Sequence, residues 1–186
     1  MILASQSPRR KQLLTLITPN FTVQTSDVDE SESIIFPPKA LAKSLAKAKC
    51  LAVAATHKNE TVIGCDTVVE VDGEVLGKPA DEADAARMIS LLSGRTHLVH
   101  TGVCISKNGF SISFAETTYV FFDHISQSDI AKYIKTAEPY DKAGAYGIQG
   151  WAAKYTRGIG GCYYNVMGLP VAHIAKILQK FNVKLN

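Results

Sequence analysis

A mixed-sheet α/β fold is what this 186-residue chain predicts, on three observations. Strand-like and helix-like segments interleave along its length. Two pairs of valine-, isoleucine- and aromatic-rich runs are joined by Asp72-Gly73 and by Lys107-Asn108-Gly109, and no repeat or low-complexity linker divides the chain. Asx-Gly dipeptides between such runs are hairpin signals, so antiparallel pairs must join whatever parallel strands the helices connect. With 46% apolar and 20% charged residues, the chain can bury a core and lies far from disordered or collagen-like compositions. The expectation is one domain over residues 1–186, a mixed sheet with flanking helices, pinched into two lobes around a central cleft.

The elements follow in order. Ile2–Ala4 is a short apolar start, Ser7 is a good N-cap and Pro8 suits a first helical position. With Leu13, Leu14 and Ile17 as an apolar stripe, residues 2–17 read as strand, tight turn and helix. Phe21–Thr25 reads as a strand and Ser26–Ser33 as an acidic loop. Pro37-Pro38 opens a helix to about Ala55, with Leu41, Leu45 and Ala48 inward and Lys39, Lys43 and Lys47 outward. Thr61–Val71 is a strand that turns through Asp72-Gly73 into Glu74–Leu76. Asp81–Leu92 is an amphipathic helix closed by Gly94. Thr96–Ser106 and Phe110–Phe122 form the longer hairpin. Ser126 and Asp129 have capping-box spacing before a helix to about Lys135. Glu138–Gly150 is a loop, and Tyr163–Gly168 leads to Pro170 and a last helix with Val171, Ile174, Ile177, Leu178 and Phe181 on one side.

Several functions are excluded by composition. The longest apolar runs, Tyr119–Phe122 and Cys50–Ala55, fall far short of the roughly 20 residues a membrane helix needs. The start MILASQSPRR reverses the charge order of a secretory signal, so a cytoplasmic, non-membrane protein is expected. A net charge of +3 is too mild for a nucleic-acid coat and suits a local pocket for a phosphorylated small molecule. Cys50, Cys65, Cys104 and Cys162 contain no C-x-x-C pair and read as buried free thiols. His97 and His100 point to opposite faces of a strand, which argues against a metal pair. Neither a P-loop, a Rossmann fingerprint nor a Gly-x-Ser-x-Gly elbow occurs.

Chemistry-bearing residues fall in five places. Ser5-Gln6-Ser7-Pro8-Arg9-Arg10 sets two hydroxyls and two guanidiniums at a helix start, where free N–H groups favour anions. Ser5 and Arg10 are therefore candidate phosphate contacts, although capping alone also accounts for Ser7 and Pro8. Gly64-Cys65-Asp66-Thr67 puts a carboxylate inside an apolar strand, which is costly unless it meets a partner, a metal or solvent at a cleft. So placed, Asp66 can hold a divalent ion and take a proton from water. Thr67 faces the other side of an ideal strand, and Gly64 is a point where the strand can bend. Asp27, Asp29, Glu30 and Glu32 share one loop that is either solvated or supplies a second oxygen ligand to Mg²⁺. Lys78 sits on the stiff turn Gly77-Lys78-Pro79 and Lys49 on the long helix; both point to the cleft or snorkel at the surface. Residues 138–150 form a loop longer than a mere connection needs, and the Gln149 amide offers one acceptor and two donors, complementary to uracil or thymine.

Together, in this order, these segments resemble the Maf family of nucleoside triphosphate pyrophosphatases. The likeness is carried by LASQSPRRKQLL at 3–14, VDE at 28–30, the lysine-rich helix with Lys49 and GCDTVV at 64–69. It continues through GEVLGKP at 73–79, SGRTHLVHTGV at 93–103, EPYDKAGAYGIQG at 138–150 and YYNVMGLP at 163–170. The resemblance implies a fold similar to the inosine triphosphate pyrophosphatases, a homodimer, and cleavage of a nucleoside triphosphate to its monophosphate and pyrophosphate with Mg²⁺ or Mn²⁺. It implies Asp66 as proton acceptor, Glu30 and Asp66 as metal ligands, and Arg10, Lys49 and Lys78 as phosphate contacts. Arg9, Thr67 and Gln149 match positions associated with substrate choice. AYGIQG at 145–150 and the Ser-Pro-Arg-Arg start look like the branch acting on dTTP and UTP. Cys65 stands where a small Ala or Ser is common. The competing readings are a nucleotide-binding regulator of septum formation with little turnover, and a preference for 7-methyl-GTP.

Overall fold

The apolar runs condense into one seven-stranded sheet, seen in a computed structural model that describes residues 1–26, 28, 36–183 and 185. In chain order the elements are β1 (Ile2–Ala4), α1 (Pro8–Leu14), β2 (Thr22–Val23), α2 (Pro38–Ala54), β3 (Val62–Val71), β4 (Glu74–Leu76) and α3 (Glu82–Leu92). They continue with β5 (Thr96–Lys107), β6 (Phe110–Phe122), α4 (Gln127–Tyr133), β7 (Thr156–Gly160), α5 (Tyr163–Val166) and α6 (Val171–Lys180). The sheet runs β2-β1-β3-β5-β6-β7, with β4 attached to β3. β1 is parallel to both neighbours and every other pair is antiparallel, so the sheet is mixed.

The pairing register leaves a gap in this sheet. One edge of β3 is taken by β5 from Val62 to Glu70. The other edge is shared: β1 covers Val62–Gly64 and β4 covers Val69–Val71. Among the described residues no strand pairs with residues 65–68 on that edge, and Asp66 and Thr67 lie in the middle of the opening.

Helices cover both faces of the sheet. On one side Leu13, Leu14 and Ile17 behind α1, Ala85, Met88, Ile89 and Leu92 of α3, and Ile174, Ile177 and Leu178 of α6 close a core with Ile63, Cys65, Val103 and Phe122. Burying each such large side chain contributes roughly 1.5–3 kcal/mol. On the other side lies α2, whose Cys50 and Val53 pack with Ile2, Ala4, Val62 and Cys104. Lys39, Lys43 and Lys47 are exposed as expected, but the buried stripe of α2 is Ala42, Leu45, Ala46, Cys50 and Val53 rather than Leu41, Leu45 and Ala48. The cause is the sheet beneath it. A Cβ on Gly64 would stand 2.5 Å from the Ala46 carbonyl oxygen, and one on Gly102 would stand 2.0 Å from that of Ala42. The helix therefore rests on bare backbone and turns its smallest residues inward. β3 keeps its register with both neighbours through Gly64, with no bulge there.

Other differences are local. β2 is shorter than expected, and β7, which was not anticipated, completes the sheet; Tyr163–Val166 is a short helix. All four cysteines are free, but Cys162 is only partly buried. His97 and His100 do face opposite ways, onto Tyr146 and Glu70 respectively. No described helix is long and apolar enough to cross a membrane.

Gly102→Ala should cost about 3 kcal/mol or more, the upper end for overpacking, because the contact is backbone that cannot rotate away. Chemical denaturation reads this directly; a loss below about 1 kcal/mol would contradict the close approach of α2.

Candidate active site

The gap in β3 opens onto a cavity of about 1030 Å³. Its lining includes Ser5, Arg9, Arg10, Lys49, Asp66, Thr67, Lys78 and Gln149, which are all the candidate residues apart from Glu30. Glu30 lies outside the described residues, as do Asp27, Asp29 and Glu32. Because successive strand residues alternate faces, Asp66 projects to the α2 side and Thr67 to the α1 side. With no described strand between β1 and β4 on that edge, both reach one cavity.

Asp66 meets α2. Lys49 Nζ lies 2.5 Å from Asp66 Oδ1, both side chains being largely withdrawn from solvent. Oδ2 has no hydrogen-bond partner among the described residues. An isolated carboxylate in this strand would be costly, and the lysine one turn from the glycine contacts offsets that cost.

Thr67 meets α1. Ser7 caps that helix by accepting from the Arg10 N–H, with Pro8 at its first position, as anticipated. The cap aims Arg10 back across the strand ends. Its guanidinium donates to the Gly168 carbonyl at 2.9 Å, to Ser5 Oγ at 3.1 Å and to Thr67 Oγ1 at 2.9 Å. Three of five N–H donors are thereby committed and one remains on each terminal nitrogen. Ser5 Oγ also accepts from the Ser7 N–H at 3.3 Å. With both lone pairs used, the Ser5 hydroxyl is left as a donor, the chemistry a phosphate oxygen takes. Gly168 has φ +100°, and a Cβ there would press within 3.2 Å of Thr67 Oγ1.

The far wall is the 138–150 segment, which folds as short 3₁₀ turns at Pro139–Asp141 and Ala143–Ala145. The Gly144 N–H docks onto the Gly77 carbonyl at 3.0 Å, tying the segment to the turn that carries Lys78. Arg9 reaches across to Asp141 at 3.4 Å, and Lys142 bonds Asp141 at 2.5 Å and the Glu138 carbonyl at 2.6 Å. Partial burial would push the Asp141 carboxyl up, but the Lys142 hydrogen bond and the charges of Lys142 and Arg9 outweigh it and hold the group below its ordinary range. Lys78 and Gln149 are exposed and make no hydrogen bond to a described residue. Five cationic side chains (Arg9, Arg10, Lys49, Lys78 and Lys142) thus surround a cavity that carries three carboxylates (Asp66, Glu138 and Asp141).

Sequence reasoning did not single out Lys142, Glu138, Thr101 or Asn165. Thr101 Oγ1 lies 3.0 Å from Thr67 Oγ1 and donates to the Asn165 carbonyl at 2.8 Å. Asn165 is fully buried and its amide donates to the Val99 carbonyl and to Thr118 Oγ1, each at 3.0 Å. One signal was available: Thr101 pairs directly with Thr67 in any register that places Gly64 opposite Cys104.

The family described as Maf-like protein matches residues 1–181. The dTTP/UTP pyrophosphatase of Koribacter versatilis is 50% identical over 183 residues, covering 98% of this chain and 95% of that one. Those of Bacillus velezensis and Moorella thermoacetica are each 46% identical, over 99% and 98% of this chain and 97% and 95% of their own. Among solved structures, the Ham1 protein of Staphylococcus aureus superposes with a TM-score of 0.54 at 17% identity, covering 97% of this chain and 98% of that one. That likeness concerns the fold alone, and it agrees with the mixed α/β arrangement anticipated from the sequence.

Behind Tyr146, which lines the cavity, lies a buried titratable partner. His97 Nε2 lies 2.6 Å from the Tyr146 hydroxyl, and Nδ1 is buried without a partner. Burial pushes the imidazole down to about 4 from an ordinary 6.5, and pushes the Tyr146 phenol up. The unfolded chain therefore binds a proton that the folded one refuses between those values, so stability is lost as pH falls from about 6.5 to about 4. His97→Gln should flatten that acid limb, whose slope from this group is at most roughly 1.4 kcal/mol per pH unit. An unchanged pH profile of the unfolding free energy would contradict the assignment.

Proposed function

The chain belongs to the Maf-like protein family, and from that membership and the charges gathered in the cleft we propose that it hydrolyses dTTP and UTP to the nucleoside monophosphate and pyrophosphate. The observation that carries the reading is the Lys49–Asp66 pair in the open stretch of β3. It sets a carboxylate and an ammonium beside a helix start that already presents hydroxyl and guanidinium donors.

In this reading the triphosphate lies against the start of α1. Ser5 donates to a phosphate oxygen, the two uncommitted N–H groups of Arg10 grip others, and Lys49 and Lys78 spread the remaining charge. Lys49 fixes the plane of the Asp66 carboxylate through Oδ1. Oδ2 takes the proton of the water that attacks the α-phosphorus, and pyrophosphate leaves. Arg9 bridges to Asp141 and so draws the 138–150 wall toward the bound nucleotide, where Gln149 offers its planar amide to the edge of uracil or thymine.

A divalent cation, Mg²⁺ or Mn²⁺, belongs to the proposal. The donor chemistry fits: the described lining contributes carboxylate and hydroxyl oxygens and contains no His or Cys. Asp66 would hold the ion, with Glu30 as the second ligand the family likeness implies. Among the described residues no three of His, Cys, Asp or Glu cluster as a ready cage, so the ion would also draw on oxygens of the substrate and of water. When bound, the ion neutralises triphosphate charge and makes water more acidic.

The cations line a concave cavity rather than a convex face, which supports a small-molecule substrate over nucleic acid. The free thiols support a reducing, cytoplasmic setting. The homodimer implied by the family likeness is part of the same reading, and the exposed rings of Tyr119, Tyr163 and Tyr164 supply apolar surface for it.

Pyrophosphate release from a panel of dTTP, UTP, CTP, GTP and 7-methyl-GTP tests the proposal. Selective release from dTTP and UTP is expected, abolished by a chelator and restored by Mg²⁺ or Mn²⁺. Asp66→Asn should keep nucleotide binding while turnover falls about 10²–10⁴-fold. Nucleotide binding with no release from any member of the panel would overturn the reading in favour of a binding protein.

A further inference from the structure

Hydrogen positions around Thr67 are determined by elimination. The Asn165 carbonyl is acceptor-only, so in its 2.8 Å contact with Thr101 the hydroxyl of Thr101 must donate. That proton being spent, Thr101 can only accept from Thr67, which lies 3.0 Å away. The Arg10 guanidinium has no acceptor, so it donates to Thr67 at 2.9 Å. The same carbonyl of Asn165 also accepts the Gly168 N–H at 2.9 Å, and the Gly168 carbonyl accepts Arg10 Nε at 2.9 Å. The result is a closed ring of hydrogen bonds running Arg10, Thr67, Thr101, Asn165, Gly168 and back to Arg10. Its members come from α1, β3, β5 and the α5 turn.

The ring leaves Thr67 with one lone pair and no available proton. It is an acceptor facing a cavity, beside Ser5, which is left as a donor. A phosphate oxygen, itself acceptor-only, has nothing to gain from Thr67. A nucleoside hydroxyl rotates to donate or accept, so a fixed polarity at Thr67 selects nothing among sugars. A ring nitrogen cannot rotate: N3 carries a hydrogen in uracil and thymine and a bare lone pair in cytosine.

We infer that Thr101 is a positioning residue that holds Thr67 as a pure acceptor, so that Thr67 takes the N3–H of uracil or thymine and turns away the N3 of cytosine. This rests on the pyrimidine triphosphate reading above. Gln149 then supplies its amide N–H to a ring carbonyl.

Thr101→Val removes the hydroxyl at nearly constant volume and frees the Thr67 proton to swing toward the cavity. Thr101→Ser keeps the ring. The measurement is kcat/KM for UTP, CTP and 3′-deoxy-UTP with each protein. In Thr101→Val the preference for UTP over CTP should fall by about tenfold, the worth of one hydrogen bond turned from repulsion to attraction. Thr101→Ser should restore it, and the ratio of UTP to 3′-deoxy-UTP should hold steady in both variants. A Thr101→Val variant that lowers UTP and CTP by the same factor would overturn the inference while leaving the pyrophosphatase reading intact. A change confined to the 3′-deoxy ratio would overturn it in favour of a sugar contact. Should Thr101→Val fail to fold, the unaltered protein still decides: 3-methyl-UTP, which lacks the donor, must be turned over at least tenfold more slowly than UTP, and equal rates would overturn the inference. If the unaltered protein releases no pyrophosphate from any of these, the underlying reading falls and the inference with it.

Discussion

The distance between α2 and the sheet is the constraint on which the site depends. A helix normally packs on a sheet across a layer of side chains, but here it rests against the backbone of Gly64 and Gly102. That seat sets the height of the helix above the sheet, since any side chain at Gly64 or Gly102 would collide with its backbone. Lys49 is carried on the same helix, one residue before Cys50, whose backbone nitrogen is among the atoms a Gly64 Cβ would strike. Asp66 is two residues beyond Gly64 on the same face of β3. The pair at 2.5 Å is therefore the local expression of a packing arrangement extending over most of α2.

The second constraint is the incomplete edge of β3. A fully paired strand would send Asp66 and Thr67 to opposite sides of a closed wall. Because β1 stops at Gly64 and β4 begins at Val69, the two faces communicate through the opening. One cavity thus receives a carboxylate and an ammonium from the α2 side and a guanidinium with two polarised hydroxyls from the α1 side. Those hydroxyls are opposite in sense, Ser5 a donor and Thr67 an acceptor, and Arg10 donates to both. Under the proposed function this contrast separates the phosphate end of the substrate from its base with few residues.

Much of this was legible in the sequence, and the failures are informative. The capped start of α1, the two Asx-Gly hairpins, α3 and the α6 stripe depend on local chemistry, and each appears where periodicity and capping residues put it. β7 was missed because Thr156-Arg157-Gly158-Ile159-Gly160 has little strand propensity of its own; it is ordered by pairing with β6. The inward face of α2 was misread because apolar periodicity favours leucine, whereas contact with bare backbone favours alanine. The candidate residues Ser5, Arg9, Arg10, Lys49, Asp66, Thr67, Lys78 and Gln149 do converge on one cavity. Thr101 and Asn165 escaped notice because a threonine in a strand and an asparagine beside tyrosines are unremarkable until the fold brings them together. Their role lies in hydrogen-bond direction, which no spacing pattern encodes.

The central claim is that Asp66, held by Lys49 in the opening of β3, directs water to the α-phosphorus of the nucleotide. Hydrolysis of dTTP in ¹⁸O-labelled water, followed by mass spectrometry of both products, tests it most directly. The account predicts the label in the nucleoside monophosphate and none in pyrophosphate. Label in the pyrophosphate would mean attack at the β-phosphorus, and would contradict the placement of the triphosphate against Asp66 and the α1 helix start.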